Sequence, residues 1–400
     1  MRKEEGHDVL GRIREPTGRG VGARRPPRKG HPLTTTTRTF GDTLIDAHIR
    51  EKEMRPVDRR ASLDHFMFRP PTAENESAVL RPMQPDGDGE IVGAEEIALD
   101  ALAYGQLLNR VNYPKRLAEK LPGGMVHASV NYLMQFELED RHALLRLVEG
   151  GTKARAVLGS RYTPFDNAML FDLVAEYVKA DSIVRYEGTG DTSTHLTLTF
   201  PASSMAEAGE GLLRGIHIAN SEVGGRAIVI QGVIYRETCT NVLPIFMRGR
   251  ADIKDGYANG DHYIRKSLGD HDLRGALKGA VKAEWRFIHQ GNGDALEAFV
   301  RDAIEDTTNQ YEGAMARWQA GLRHEIDHPL DEIEAIAKAG KLTKEQLKAS
   351  LEGFAIEHQY LGNTLTAVAN AFTRAAQDEK DPEERYFMQA VGAHTLMSLN

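Results

Sequence analysis

The sequence of 400 residues has a single cysteine, Cys239. That excludes a disulfide framework and any multi-cysteine zinc or iron–sulfur site. No apolar run approaches the roughly 20 residues that cross a bilayer. The opening MRKEEGHDVLGRIRE lacks the apolar core of a secretory signal. A cytoplasmic protein without a membrane partner is expected. Phosphate loops are also missing. Gly340-Lys341 has Ala335 where a Walker motif needs its first glycine. Gly188-Thr189-Gly190 lacks the third glycine and following helix of a dinucleotide site. No cofactor is therefore expected. A net positive charge is absent too: 50 Lys+Arg against 58 Asp+Glu give −8.

What charge there is falls unevenly. Residues 1–60 carry 15 basic and 9 acidic residues, so the remaining chain is more acidic than the total suggests. Residues 1–39 are rich in Gly, Pro and Arg and poor in large apolar side chains. Such a segment has little to bury against the entropy of ordering. It reads as a flexible basic arm, either a solvated tail or a nucleic-acid-binding extension.

The pattern along the chain predicts four regions: a flexible basic arm over 1–60, an irregular linker with a helix over 61–125, an α+β core over 126–250, and a helical region over 251–400. The core shows β-branched runs between turn signals, at His142–Val148, Lys153–Ser160, Ser182–Tyr186, Thr194–Phe200, Leu212–Ala219 and Arg226–Tyr235. One helix is expected at about Asn167–Lys179. The fold class is α+β, with a mostly antiparallel sheet and packed helices, followed by the helical C-terminal region. There, Leu273, Leu277, Val281, Trp285 and Ile288 form one apolar stripe, and Leu296 through Ile326 a longer one. Thr343 and Gln346 have capping-box spacing. Asp381-Pro382 reads as a cap and first helical residue. In the linker, Ile97, Ala101, Tyr104, Leu107 and Leu108 fall on one helical face.

Several motifs could carry chemistry. His324-Glu325-Ile326-Asp327-His328 matches H-E-x-x-H, in which two histidines one helical turn apart bind zinc and the glutamate activates water. Both histidines lie about 200° from the stripe of Met315, Trp318, Leu322 and Ile326, at 100° per residue. Pro329 follows at once. A solvated helix end is the competing reading. Asp255, His262, Asp270 and His271 could ligate a metal, or lie solvated in a polar loop. Cys239, with His217 upstream, reads as a buried thiol. No catalytic or metal residues are assigned.

A further signal is the first hairpin. Residues 141–161 hold Arg141, Arg146, Lys153, Arg155 and Arg161 against one acid, Glu149. Lys153, Arg155 and Arg161 share strand parity. A two-residue Gly150-Gly151 turn would set Arg146 opposite Arg155, a like-charge pair that costs stability unless an anion sits between them. Tyr162 follows, and Arg226, Tyr235 and Arg236 flank a later strand. Arginines with aromatics on a sheet suit backbone tracking and base stacking. An ordinary exposed basic face is the other reading.

RAVLGSRYTPFDNAMLFDLV, Asn220-Ser221 with Gly224-Gly225, Arg236-x-x-Cys239-x-Asn241, and the closing TLTAVANAFTRAAQ and ERYFMQAVGA together resemble the DUF932 family of phage- and plasmid-borne, YafZ/YfjQ-like proteins. The order agrees over about Arg141–Gly392. The basic arm and the His324–His328 segment lie outside that pattern. The resemblance implies a mobile-element protein in a bacterial cytoplasm and supplies no catalytic residues.

The leading expectation is a phage or plasmid DNA-metabolism accessory protein, with annealing or recombination as the candidate process. It would bind single-stranded DNA through Arg146, Lys153, Arg155, Arg161, Tyr162, Arg226, Tyr235 and Arg236. The helical C-terminal region would serve as a possible homo-oligomer contact. The alternatives are a zinc-dependent hydrolase using His324, Glu325 and His328, and a non-enzymatic protein acting on a host factor.

Overall fold

The computed structural model describes residues 38–397 except 55, 74, 84–95, 191, 205–211, 237–240 and 245–284. The basic arm through residue 37, Cys239, the Leu273–Val281 part of the first helical stripe and the Asp255–His271 cluster lie outside the described residues.

Two six-stranded sheets organise the rest. The first joins β1 (Val57–Ser62), β2 (Phe66–Arg69), β3 (Ala78–Pro82), β4 (Ile97–Leu99), β5 (His142–Val148) and β6 (Lys153–Gly159), in the order β1-β5-β6-β4-β3-β2. Only β4 and β6 run parallel. One face is covered by α2 (Ala101–Arg110) and α4 (Gly123–Tyr132), with α3 (Lys115–Ala118) between them in the chain. Leu107, Leu108, Val126 and Val130 pack there against Phe66, Phe68, Leu80 and Leu145. Asp100 caps α2 by accepting from the Ala103 N–H at 2.7 Å.

The second sheet is antiparallel throughout, in the order β11-β10-β9-β8-β7, with β12 also on β10. Its strands are β7 (Ile183–Thr189), β8 (Thr194–Ser204), β9 (Leu212–Asn220), β10 (Ile228–Arg236), β11 (Asn241–Pro244) and β12 (Trp285–Phe287). Side chains alternate between its faces. Leu196, Leu198, Ile216, Ile218, Ile228 and Ile230 meet three helices: α1 (Phe40–Met54), α5 (Asn167–Ala175) and the first half of α6 (Gly293–Arg323). The opposite alternation carries His195, Thr197, His217 and Gln231, buried at the end of the sheet reached by α10 (Pro382–Met397).

The second half of α6 forms a helical core with α7 (Pro329–Ala339), α8 (Lys344–Leu361), α9 (Leu365–Ala375) and α10. Trp318, Tyr311 and Phe372 are its largest buried side chains. The Thr343/Gln346 capping box forms. Asp381 accepts from the Glu383 and Glu384 N–H groups at 2.8 and 3.1 Å, opening α10 as the sequence predicts.

The α+β class and the six core strands agree with the expectation, but the regional boundaries need correction. The arm does not reach residue 60. Phe40–Met54 is helix α1, anchored by Phe40 against Phe171, and Val57–Ser62 pairs with β5. The 61–125 stretch supplies β2, β3 and β4 as well as α2 and α3. Its strands are only three to five residues long, so their alternation is lost among proline and polar residues. Ile97 belongs to β4, not to the helix. Trp285–Phe287 is a strand paired with Ile228–Ile230, so it does not continue a helical stripe.

Candidate nucleic-acid interface

The predicted two-residue turn is longer in the structure. Glu149, Gly150 and Gly151 all take positive φ (54°, 73° and 99°). A bulge after Arg146 sets Arg146 opposite Ala156 and Leu147 opposite Ala154, leaving Arg155 outside the register. The expected Arg146–Arg155 pair is therefore absent.

Arg146 is only 3% exposed, under the Asn220–Val223 segment. Its Nε donates to Asp58 Oδ1 (2.9 Å), Nη2 to Asp166 Oδ2 (2.9 Å) and Nη1 to the Glu222 carbonyl (2.7 Å). Burial pushes the guanidinium towards neutrality, but Asp166 and Asp58 outweigh it and hold its pKa above the ordinary arginine value. Arg155 donates through both Nη atoms to Glu222 Oε2 at 3.2 and 3.3 Å. Glu222 Oε1 in turn accepts from the Asn167 N–H at 3.0 Å. These arginines fasten the first sheet to the start of α5 and the loop after β9. They do not form an open phosphate-facing surface.

The other predicted residues divide. Lys153 is half-exposed and pairs with Glu149 at 3.3 Å. Tyr235 is buried, with the Arg185 guanidinium 4.4 Å from its ring centroid. Arg236 is buried against Glu357 (3.0 Å), which also binds Arg374 (3.0 Å) and Asn370 (3.3 Å). It ties β10 to α8 and α9. Burial of Arg146, Tyr235 and Arg236 thus removes them from the expected nucleic-acid face.

Arg161, Tyr162 and Arg226 do come together. They line an open groove of about 530 Å³ with Arg110, Asp140 and His289. Arg161 is exposed and has no hydrogen-bond or ion-pair partner among the described residues. Arg110 is anchored to Asp140 at 3.1 Å. The Tyr162 ring stacks on His289 with centroids 4.8 Å apart and planes 8° from parallel. Tyr162 donates its hydroxyl to the Ser221 carbonyl at 2.9 Å, and burial pushes its pKa up. Burial pushes His289 down to about 4, so the ring is neutral at pH 7. Its Nδ1 lies 3.2 Å from the Thr163 carbonyl, which can only accept. The proton therefore sits on Nδ1, and Nε2 is a bare acceptor with no partner among the described residues.

Arg226 connects the groove, through the half-exposed Glu383 side chain, to the buried His195, His217 and Thr197. Its Nη1 donates to both Glu383 oxygens at 3.0 Å. Glu383 Oε1 also accepts from Ser193 (2.9 Å) and lies 3.1 Å from His195 Nε2. His195 Nδ1 is 3.2 Å from His217 Nε2, and His217 Nδ1 is 3.0 Å from Thr197 Oγ1. Burial lowers the pKa of both histidines. Glu383 is held at about 2: burial would raise it, but His195 and Arg226 overcome that effect.

His324 ends α6, Glu325 bridges to Thr364, and His328 precedes α7. The three are exposed and do not share a helix, so the turn-spaced pair of a zincin does not form. Among the described residues, no group of three or more His, Cys, Asp or Glu could hold a metal ion.

Arg110, Asp140, His289 and the His195–His217–Glu383 chain were not predicted. The alternation of His195 and Thr197 in β8 was the available signal for the buried chain. His289 follows a strand too short to announce itself. No protein-family model matches the chain, and neither a curated protein nor a solved structure matches it.

Proposed function

We propose that the protein binds single-stranded nucleic acid along the Arg161 groove, as a DNA-metabolism accessory factor of a phage or plasmid. The binding reading is carried by Arg161, an exposed guanidinium without a partner among the described residues, on a groove that also holds Arg226 and the Tyr162–His289 ring pair. Cations that track phosphate, beside the partly exposed Tyr162 ring, suit single strands, whose backbone can follow an open groove. The mobile-element setting rests on the resemblance to the DUF932 family.

The test is a fluorescence-anisotropy titration of labelled single-stranded and duplex DNA over a range of salt concentrations. Tighter binding of the single strand is expected, with affinity falling linearly in log–log form as salt rises. Arg161→Ala should weaken binding and reduce the salt slope by about 1. No binding at low salt, or an unchanged slope in the variant, defeats the proposal.

A further inference from the structure

Helix α4 is apolar on two opposite faces. Val126, Val130 and Met134 are buried against the first sheet. On the other side, Met125 is 54%, Tyr132 55% and Phe136 65% exposed. Exposed Ala128 lies between them. After Tyr132 the helix widens into a π-helical turn over Leu133–Glu137, with the Tyr132 and Phe136 rings 5.3 Å apart. A surface helix of a globular domain ordinarily shows water a polar face. A contiguous apolar stripe on the outer side marks a protein contact.

The charges that flank this stripe along the chain are opposite in sign. Lys115, Arg116 and Lys120 precede its start, all exposed and without ion-pair partners among the described residues. Glu119 is the one acid among them. At the other end stand exposed Glu137 and Glu139. A second copy of α4 laid antiparallel across a two-fold axis near Ala128 would bring each basic end to the other's acidic end. The same operation would set the Met125–Phe136 stripes against each other. An isologous contact requires this self-complementarity.

We infer that the outer face of α4 is the two-fold interface of a homodimer. This places self-association on the first sheet's covering helix and not in the helical C-terminal region. It does not depend on the nucleic-acid groove.

Sedimentation velocity of the full chain over a concentration series tests this. Wild type should form a dimer that weakens as salt rises. Phe136→Glu should raise the dimer dissociation constant at least tenfold without changing the circular dichroism spectrum. Lys115→Glu with Lys120→Glu should weaken the dimer, as should Glu137→Lys with Glu139→Lys. All four changes combined should restore it. A monomeric wild type, or a dimer indifferent to Phe136→Glu, overturns the inference. Failure of the combined charge exchange overturns the antiparallel arrangement.

Discussion

Arg146 lies in β5 and Arg161 in the turn that follows β6, and they differ in what surrounds them. Arg146 is enclosed by Asp58, Asp166 and the Glu222 carbonyl, whereas Arg161 stands in water. Removing one partner of a buried ion pair leaves the other charge uncompensated, which costs about 3–5 kcal/mol. Arg146→Ala is therefore expected to lower the urea-unfolding free energy by about that amount. Arg161→Ala should change it by no more than about 0.5 kcal/mol, as surface substitutions usually do. Equal stabilities for the two variants would contradict these environments. At Gly215 the constraint is space: an added methyl would run into the Leu198 carbonyl of the neighbouring strand. Gly215→Ala should lower the melting temperature measurably in a thermal scan.

At the scale of elements, the N-terminus of α10 supplies the carboxylate that occupies Arg226. Glu383→Gln removes that charge while keeping the side-chain shape. If the groove takes phosphate, this variant should bind single-stranded DNA more tightly and with a steeper salt slope than wild type. Unchanged binding would show that Arg226 is not part of the contact. The strands β5 to β10 and the caps of α8 and α10 were legible in the sequence, because period-two alternation and capping spacing are local signals. The strands β1 to β4 were not, since their burial comes from partners remote in sequence, such as β5 for β1. The same limit applies to the groove. Arg161, Tyr162 and Arg226 could be nominated by residue type, but Arg110 and His289 reach it only through the fold. A basic count in a hairpin also could not reveal that Asp58, Asp166 and Glu222 consume two of its arginines.

At the scale of the molecule, three histidines buried among the described residues set a direction for acid sensitivity. His195, His217 and His289 all have folded pKa values below the ordinary 6.5. Below pH 6.5 the unfolded chain takes up protons that the folded chain refuses, so stability falls as pH falls. For His289, held at about 4, the loss between pH 6.5 and pH 4 amounts to about 3 kcal/mol. Denaturant midpoints should therefore decline from pH 7 to pH 5, and His289→Gln should flatten that decline. A profile flat over this range would contradict neutral burial. The shared edge of β10 has another consequence. Pro244 pairs with Val233, and Trp285 pairs with Ile230, three positions along the same strand. The chain thus leaves and rejoins the sheet at points roughly 10 Å apart, at about 3.3 Å per residue. Strand register alone therefore asks no more of the join between Pro244 and Trp285 than that it span this gap. A short Gly/Ser bridge from Pro244 to Trp285 is long enough for that span, and the protein carrying it should keep the strand signal of its circular dichroism spectrum.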